Sequence, residues 1–192
     1  MIAAALAVLA FVLGSVPTGL LIARRRGVDL RAIGSGNIGA TNVKRALGTK
    51  WSLAVLVVDA FKGLLPVLAA RGLGFSPWET TAVALASVYG HCLSIFLKGR
   101  GGKGVSTSLG AAIVIAPRAA LGAALVHAVL FALWRYSSVG SLVAVMSFTG
   151  FLWLGGERHP ALYAFGILAG GLVVIRHKDN IRRLLRGEEF KA

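Results

Sequence analysis

Charged side chains are scarce in this sequence, and acidic ones most of all. Only 15% of the 192 residues are Asp, Glu, Lys or Arg, and just 7 are acidic, where soluble domains carry about 25% charged residues. A chain so poor in charge cannot clothe a water-soluble surface. Its single cysteine, Cys92, excludes an intrachain disulfide and offers no thiolate cluster. The histidines His91, His127, His159 and His177 show neither His-x-x-x-His nor His-Glu-x-x-His spacing, so no zinc site is expected. A Walker A loop is missing too: Gly99 is followed by Arg100, Gly101, Gly102, Lys103 and Gly104, with no Gly-Lys-Ser/Thr in place. No cluster requires a metal or any other cofactor.

What is abundant is apolar. Hydrophobic residues make up 56% of the chain and the mean hydropathy is +0.76, which points to an integral membrane protein. Apolar stretches long enough for a bilayer run over residues 2–23, 51–70, 80–97, 105–116, 119–134, 139–154 and 161–175, or about seven transmembrane helices, the fourth and fifth of them short. The fold class expected is therefore all-α, a polytopic membrane helix bundle with residues 1–192 forming one domain. The start, Met1 to Leu13, has no positive flank and reads as a retained first span. A net charge of +14 taken alone suggests nucleic acid, but the cations lie between apolar segments instead of along one polar face, so no nucleic-acid partner is expected. Most Lys and Arg fall in the loops after spans one, three and five and in the tail. By the positive-inside rule those lie in the cytoplasm and the N-terminus lies outside. If segments 105–116 and 119–134 form one re-entrant pair, the two ends stay on these sides.

Three stretches on that inner face are too polar and too glycine-rich for simple connections. The first, Lys98-Gly-Arg-Gly-Gly-Lys-Gly-Val-Ser-Thr107, places Lys103 among Gly101, Gly102 and Gly104, with Ser106 where a helix should begin. Exposed N–H groups at a helix start, beside Lys and Arg, form a nest for an anion, most often phosphate. A basic loop held to acidic headgroups explains the charge but not the glycines. The second, Gly34-Ser-Gly-Asn-Ile-Gly-Ala-Thr-Asn-Val-Lys-Arg45, offers Ser35 as a cap, Gly36 and Gly39 for a tight backbone, and a short interfacial helix from Thr41 to Leu47. Arg45 there suits bidentate contact with a phosphate. The third, Ile175 to Glu189, sets His177 and Asn180 on one face of a basic amphipathic helix, part of which suits anionic lipid.

Other polar residues fall within the spans. Pro17 kinks the first, and Ser15 and Thr18 are placed to satisfy the freed backbone. Asp59 and Lys62 stand three apart on one helical face and are expected to pair. His91 suits either a ligand contact or an interhelix hydrogen bond, whereas His127 and His159 read as structural. Ser137, Ser138 and Ser141 cluster at the inner start of the sixth span, where an oxygen-rich substrate fits. Gly170-Gly171 permits close helix packing.

Taken together, Ser-x-Pro-x-Gly at 15–19, Gly-Ser-Gly-Asn-Ile-Gly-Ala-Thr-Asn at 34–42, Asp-x-x-Lys-Gly at 59–63, Gly90-His91, Gly-Gly-Lys-Gly-Val at 101–105 and the His-x-x-Asn-Ile-x-Arg-Leu tail from His177 carry a resemblance that runs nearly end to end. The chain resembles the bacterial acyl-phosphate-dependent glycerol-3-phosphate acyltransferases of the PlsY type. It departs from them after His91, where they usually carry a proline and this chain has Leu93-Ser94.

The resemblance implies transfer of a fatty acyl group from acyl-phosphate to the sn-1 hydroxyl of glycerol 3-phosphate, giving lysophosphatidic acid and phosphate, the opening step of phospholipid synthesis. It implies a bacterial inner-membrane protein whose site faces the cytoplasm, with glycerol 3-phosphate, acyl-phosphate and the lipid bilayer as partners, and a monomer. Lys103, Gly101, Gly102, Gly104 and Ser106 are then expected to hold the phosphate of glycerol 3-phosphate. Ser35, Gly36, Asn37, Thr41 and Arg45 are expected to hold the acyl-phosphate and steady the developing oxyanion. His177 and Asn180 orient the attacking hydroxyl, with Ser141 nearby. No histidine has Asp five residues later, so the His-x-x-x-x-Asp pair of the other acyltransferase family is absent. No Ser-His-Asp triad is evident either, which leaves direct attack. A transporter of a small phosphorylated anion is the rival, but transporters bind near the midplane and often show repeats, and here the motifs cluster at one face. A non-catalytic subunit that recruits anionic lipid accounts for the tail and not for the glycines.

Overall fold

A computed structural model of the chain describes residues 1–191. Among these there are ten α-helices and one 3-10 turn, and no strand. In chain order the helices are α1 (Ile2–Ser15), α2 (Thr18–Arg25), α3 (Ala40–Leu47), α4 (Thr49–Gly72) and α5 (Pro77–Cys92). They continue as α6 (Val105–Ile115), α7 (Pro117–Trp134), α8 (Ser137–Leu154), α9 (Pro160–Arg176) and α10 (Lys178–Leu185). Every apolar stretch read from the sequence is helical over most of its length. Five runs are long and apolar enough to cross a membrane: α1 with α2, α4, α5 with the turn after it, α7 and α8. The pair α9 and α10, bent by 59° at His177, makes a sixth if counted as one span. The remaining apolar helix, α6, has only 11 residues, a length of about 16 Å against a hydrocarbon core of about 30 Å.

The bundle exposes large apolar side chains and buries intramembrane polar ones within its apolar core. On α4, Leu53, Val57, Phe61, Leu65 and Leu68 are exposed, while Asp59 and Lys62 are buried. Thr80, Thr81, Ser87 and His91 on α5, and Ser138 and Ser141 on α8, are likewise buried. This inverts the soluble pattern and fits lipid as the outer solvent.

Small residues let the central helices cross closely, as expected where no hydrophobic effect drives helices together. A Cβ at Gly63 or Gly110 would run into the backbone of the opposite helix, at Thr107 and Ala60 respectively, which fixes the α4–α6 crossing. Gly170 meets only ordinary contacts on Val145 and Gly171 faces open space, so that pair does not draw helices together.

The proline in the first span breaks it outright. Val16 and Pro17 separate α1 from α2, and the freed carbonyls are satisfied from elsewhere in the bundle. Lys62 Nζ donates to the Val16 carbonyl (2.6 Å) and Ser94 Oγ to the Ser15 carbonyl (2.5 Å). The hydroxyl of Thr18, expected to help, has no partner among the described residues. Lys62 also pairs with Asp59 as the spacing predicts. Without a proline after His91, α5 still ends at Cys92, and the chain passes through Ser94 into the 3-10 turn Ile95–Leu97.

Candidate active site

At the end of the bundle where α3 and α10 lie, the two glycine-rich stretches are knitted together. Arg31 donates to the carbonyl of Gly36 (3.2 Å) and to that of Arg100 (2.6 Å), so one guanidinium ties the second stretch to the first. Arg176, the last residue of α9, donates to the carbonyls of Gly101 (2.8 Å) and Gly102 (3.1 Å). The N–H groups of Gly101 and Gly102 are spent on Cys92 and His91 at the end of α5. Asn42 braces the other stretch: its amide donates to Leu30 and Ile33 and its oxygen accepts from the Ser35 N–H.

Between these stretches opens a cavity of about 250 Å³. Four helices begin at its mouth, contributing Ala40 and Thr41 (α3), Val105 and Ser106 (α6), Ser137 and Ser138 (α8), and Asn180 (α10). The first N–H groups of a helix have no intrahelical acceptor and carry the positive end of its dipole. Those of Val105, Ser106 and Thr107, and of Lys103 and Gly104 before them, find no partner among the described residues. Gly104 makes this possible as the N-cap of α6, at φ +84°, where a side chain is strained and where a Cβ would lie 2.8 Å from Cys92 Sγ. Lys103 and Arg45 add full charges to the wall.

Of the residues singled out from the sequence, Ser35, Asn37, Thr41, Arg45, Lys103, Gly104, Ser106, Ser141, His177 and Asn180 all line this cavity. Gly36, Gly101 and Gly102 are not brought to its surface. Gly36 turns the loop at φ +63°, and Gly102 lies against the His91 ring so closely that a Cβ would strike it. Their work is to shape the loops. Ser35 does not cap α3; Gly39 does, with its own N–H bound by Asn37 Oδ1 (2.9 Å). Thr41 and Ser137 share a hydroxyl hydrogen bond of 3.1 Å, joining α3 to α8.

His177 is the hinge between α9 and α10, not a residue of a continuous helix. It is 2% exposed, and its Nδ1 lies 2.8 Å from the Val173 carbonyl. A carbonyl only accepts, so Nδ1 carries the proton, and in the neutral ring Nε2 keeps a free lone pair. Burial pushes Lys103 down to about 8, with Glu189 opposing the shift and Arg183 and Arg45 adding to it. The Arg45 guanidinium is also lowered by burial, against the pull of Glu189.

Several site residues escaped the sequence reading. Glu189, in the segment after α10, folds back into the mouth, where its carboxylate accepts from Ser138 Oγ (2.9 Å), Asn180 Nδ2 (2.6 Å) and Arg183 Nε (2.8 Å). Phe190 beside it carries the Arg45 and Arg183 guanidinium groups over its ring, at 5.3 and 5.2 Å. The available signal was the Glu188-Glu189 pair that closes an arginine-rich tail. Ser108 lines the cavity with its hydroxyl unpartnered, and His127, read as structural, lines it too. Asp59 and His91, both of which the sequence itself marks, also reach the wall, His91 Nδ1 standing 3.9 Å from the Asp59 carboxylate. Among the described residues no group of three His, Cys, Asp or Glu is placed to hold a metal ion.

Below the mouth the same cavity runs between α6, α7, α8 and α9 over Leu109, Ala112, Ala120, Ala123, Ala144 and Ala169. Cationic donors at one end and an apolar passage at the other suit a molecule built the same way, a phosphate on a fatty chain. Residues 4–187 match the family model described as glycerol-3-phosphate acyltransferase. The chain belongs to that family. It is 47% identical to the glycerol-3-phosphate acyltransferase of Geobacter sulfurreducens, with 97% of each chain covered. To the enzyme of that name from Aquifex aeolicus it is 43% identical, again over 97% of each. Among solved structures, the glycerol 3-phosphate form of PlsY, an integral membrane glycerol 3-phosphate acyltransferase, superposes with a TM-score of 0.94 at 41% identity, covering 100% of this chain and 96% of that one. The lysophosphatidic acid form gives 0.91 at 40% identity, covering 100% and 95%. The family assignment displaces the transporter reading: this is a glycerol-3-phosphate acyltransferase.

Proposed function

We propose that the acyl donor is an acyl-phosphate and that the reaction is direct attack by the sn-1 hydroxyl of glycerol 3-phosphate. The observation that carries this is the single cavity in which four helix starts, Lys103 and Arg45 meet an apolar passage. Both substrates bring a phosphate, and the donor also brings a chain. The α6 start, with Lys103, Gly104 and Ser106, takes the phosphate of glycerol 3-phosphate. Ser35, Asn37, Thr41 and Arg45 take the acyl-phosphate, and Gly36, Gly101 and Gly102 hold the two loops in shape around them. The acyl chain descends between α6, α7, α8 and α9.

In the reaction the hydroxyl oxygen bonds to the acyl carbonyl carbon, and the bond from that carbon to the phosphate oxygen breaks. The hydroxyl proton leaves on the departing orthophosphate or through His177 Nε2. Asn180, held by Glu189, and Ser141 orient the hydroxyl. Negative charge gathering on the carbonyl oxygen faces helix starts and fixed N–H donors that need no rearrangement, where such donors are worth most. The leaving group is already a good one, so no acyl-enzyme is required. The site opens on the cytoplasmic face of the bacterial inner membrane, where the Lys and Arg excess lies, and one copy of the chain holds all the residues named.

The deciding assay uses purified protein in detergent, with palmitoyl phosphate and glycerol 3-phosphate. Lysophosphatidate and orthophosphate released one for one, only with both substrates present, is the expected result. Turnover with acyl-CoA or an acyl carrier protein thioester, and none with palmitoyl phosphate, overturns the donor assignment.

A further inference from the structure

The inner leg of the cavity has a wall of small residues and a floor of large ones. Along α8 the lining positions are Ser137, Ser138, Ser141, Ala144, Val145 and Phe148, a single face at helical spacing. From Ser138 to Phe148 the axis advances about 15 Å, at 1.5 Å per residue. Antiparallel α9 brings Gly170, Ala169 and Gly166 to the same passage and ends it at Phe165. No lining residue on α8 or α9 lies beyond the two phenylalanines. Their rings meet edge to face, 5.9 Å between centroids at 79°, and are 5% and 2% exposed. Gly166 makes the arrangement possible, since a Cβ there would come within 3.1 Å of the Phe148 ring. Past the rings, Leu152 on α8 is fully buried in the packed core.

We infer that the Phe148–Phe165 pair is the floor of the acyl-chain passage and sets the longest acyl group the enzyme transfers efficiently. The inference rests on the donor's chain occupying the inner leg as proposed above. A chain whose terminal methyl meets the rings has its carbonyl at the helix starts. A longer one must lift its carbonyl away from Lys103 and Arg45 or displace a ring from a packed contact. One methylene gained or lost in such an apolar pocket shifts kcat/KM by about 10- to 200-fold. Chain length is therefore read at the floor, far from the reacting bond.

The test is kcat/KM on the full-length detergent-purified enzyme for saturated acyl-phosphates of rising length, lauroyl through arachidoyl. The wild type should show an optimum with a steep fall on the long side. Phe165→Ala should move that fall to longer chains, raising kcat/KM on the first excluded donor about 10-fold or more relative to its own kcat/KM on shorter donors. Ala144→Leu, one helical turn nearer the mouth than Phe148, should move the fall to shorter chains. If Phe165→Ala does not purify as a monodisperse species, Phe165→Leu replaces it, and Ala144→Leu carries the opposite arm alone. An unchanged length profile in the variants, or an equal loss at every length, overturns the floor. If the wild type uses no acyl-phosphate, the same series run as thioesters keeps the two questions apart: a shifted limit upholds the floor while the donor reading falls, and an unshifted limit overturns the floor.

Discussion

With Lys103 as the proposed phosphate contact, substrate binding and pH meet at one residue. Its ammonium is desolvated at the base of the α6 cradle and titrates at about 8. It is charged below that pH and loses its charge as pH rises through it. A phosphate monoester carries its second charge above about pH 6, so the two charges coexist between about 6 and 8. We expect KM for glycerol 3-phosphate to be lowest in that window and to climb on the alkaline side, approaching tenfold per pH unit. A bound phosphate favours the charged amine, so kcat should hold to higher pH than kcat/KM. Lys103→Arg, which cannot be deprotonated in this range, should lose the alkaline limb of KM while binding more weakly at neutral pH. A KM flat from pH 6 to 10 in the wild type would count against Lys103 as a phosphate contact. The glycines around it act otherwise. Gly102→Ala should raise KM severalfold through displacement of the loop, because its Cβ runs into the His91 ring.

At the scale of elements, the break between α1 and α2 shows why local sequence gives the position of an irregularity but not its partners. Pro17 announces it. That Lys62 on α4 and Ser94 after α5 would supply the missing donors depends on which helices touch, which no nearby residue encodes. The same holds for α5: residues 93–97 are apolar enough to continue a span, yet Ser94 is drawn to the Ser15 carbonyl and the helix stops at Cys92. Lys62 therefore bridges three groups of structure, α1, α2 and α4, with Asp59 as its counter-charge. Lys62→Met should cost about 3–5 kcal/mol, the usual loss when one member of a buried pair is removed, seen as a lower unfolding temperature in detergent. Asp59→Asn combined with Lys62→Met should recover part of that loss, because no unpaired charge remains. If the double variant is as unstable as the sum of the single ones, the pair is not the reason Lys62 matters.

For the whole molecule, the polar residues were legible because an ionisable or glycine-rich stretch is costly in a membrane chain and so marks a site. Ten of the thirteen residues picked out in this way line one cavity. Gly36, Gly101 and Gly102 do not line it, because sequence cannot tell a glycine that faces a cavity from one that lets two backbones meet. The same limit leaves the depth of the cradle unread until α6 is measured. At about 16 Å, α6 cannot cross a core of about 30 Å, while its neighbour α7, with 18 residues, spans about 27 Å. α6 and α7 join at Ala116, and in the proposed orientation that junction is their common outer end, which puts the start of α6, and the proposed phosphate cradle with it, well below the inner surface. That depth lets a lipid-borne acyl group and a water-borne phosphate meet without the chain leaving the bilayer. A cysteine scan can check it. In a Cys92→Ala background, Arg118→Cys at the α6–α7 junction should react with an impermeant maleimide added outside intact cells. Lys178→Cys, at the start of α10, should react only after the membrane is opened. Arg118→Cys silent from both sides would make α6 and α7 a re-entrant pair and bring the cradle back to the inner surface.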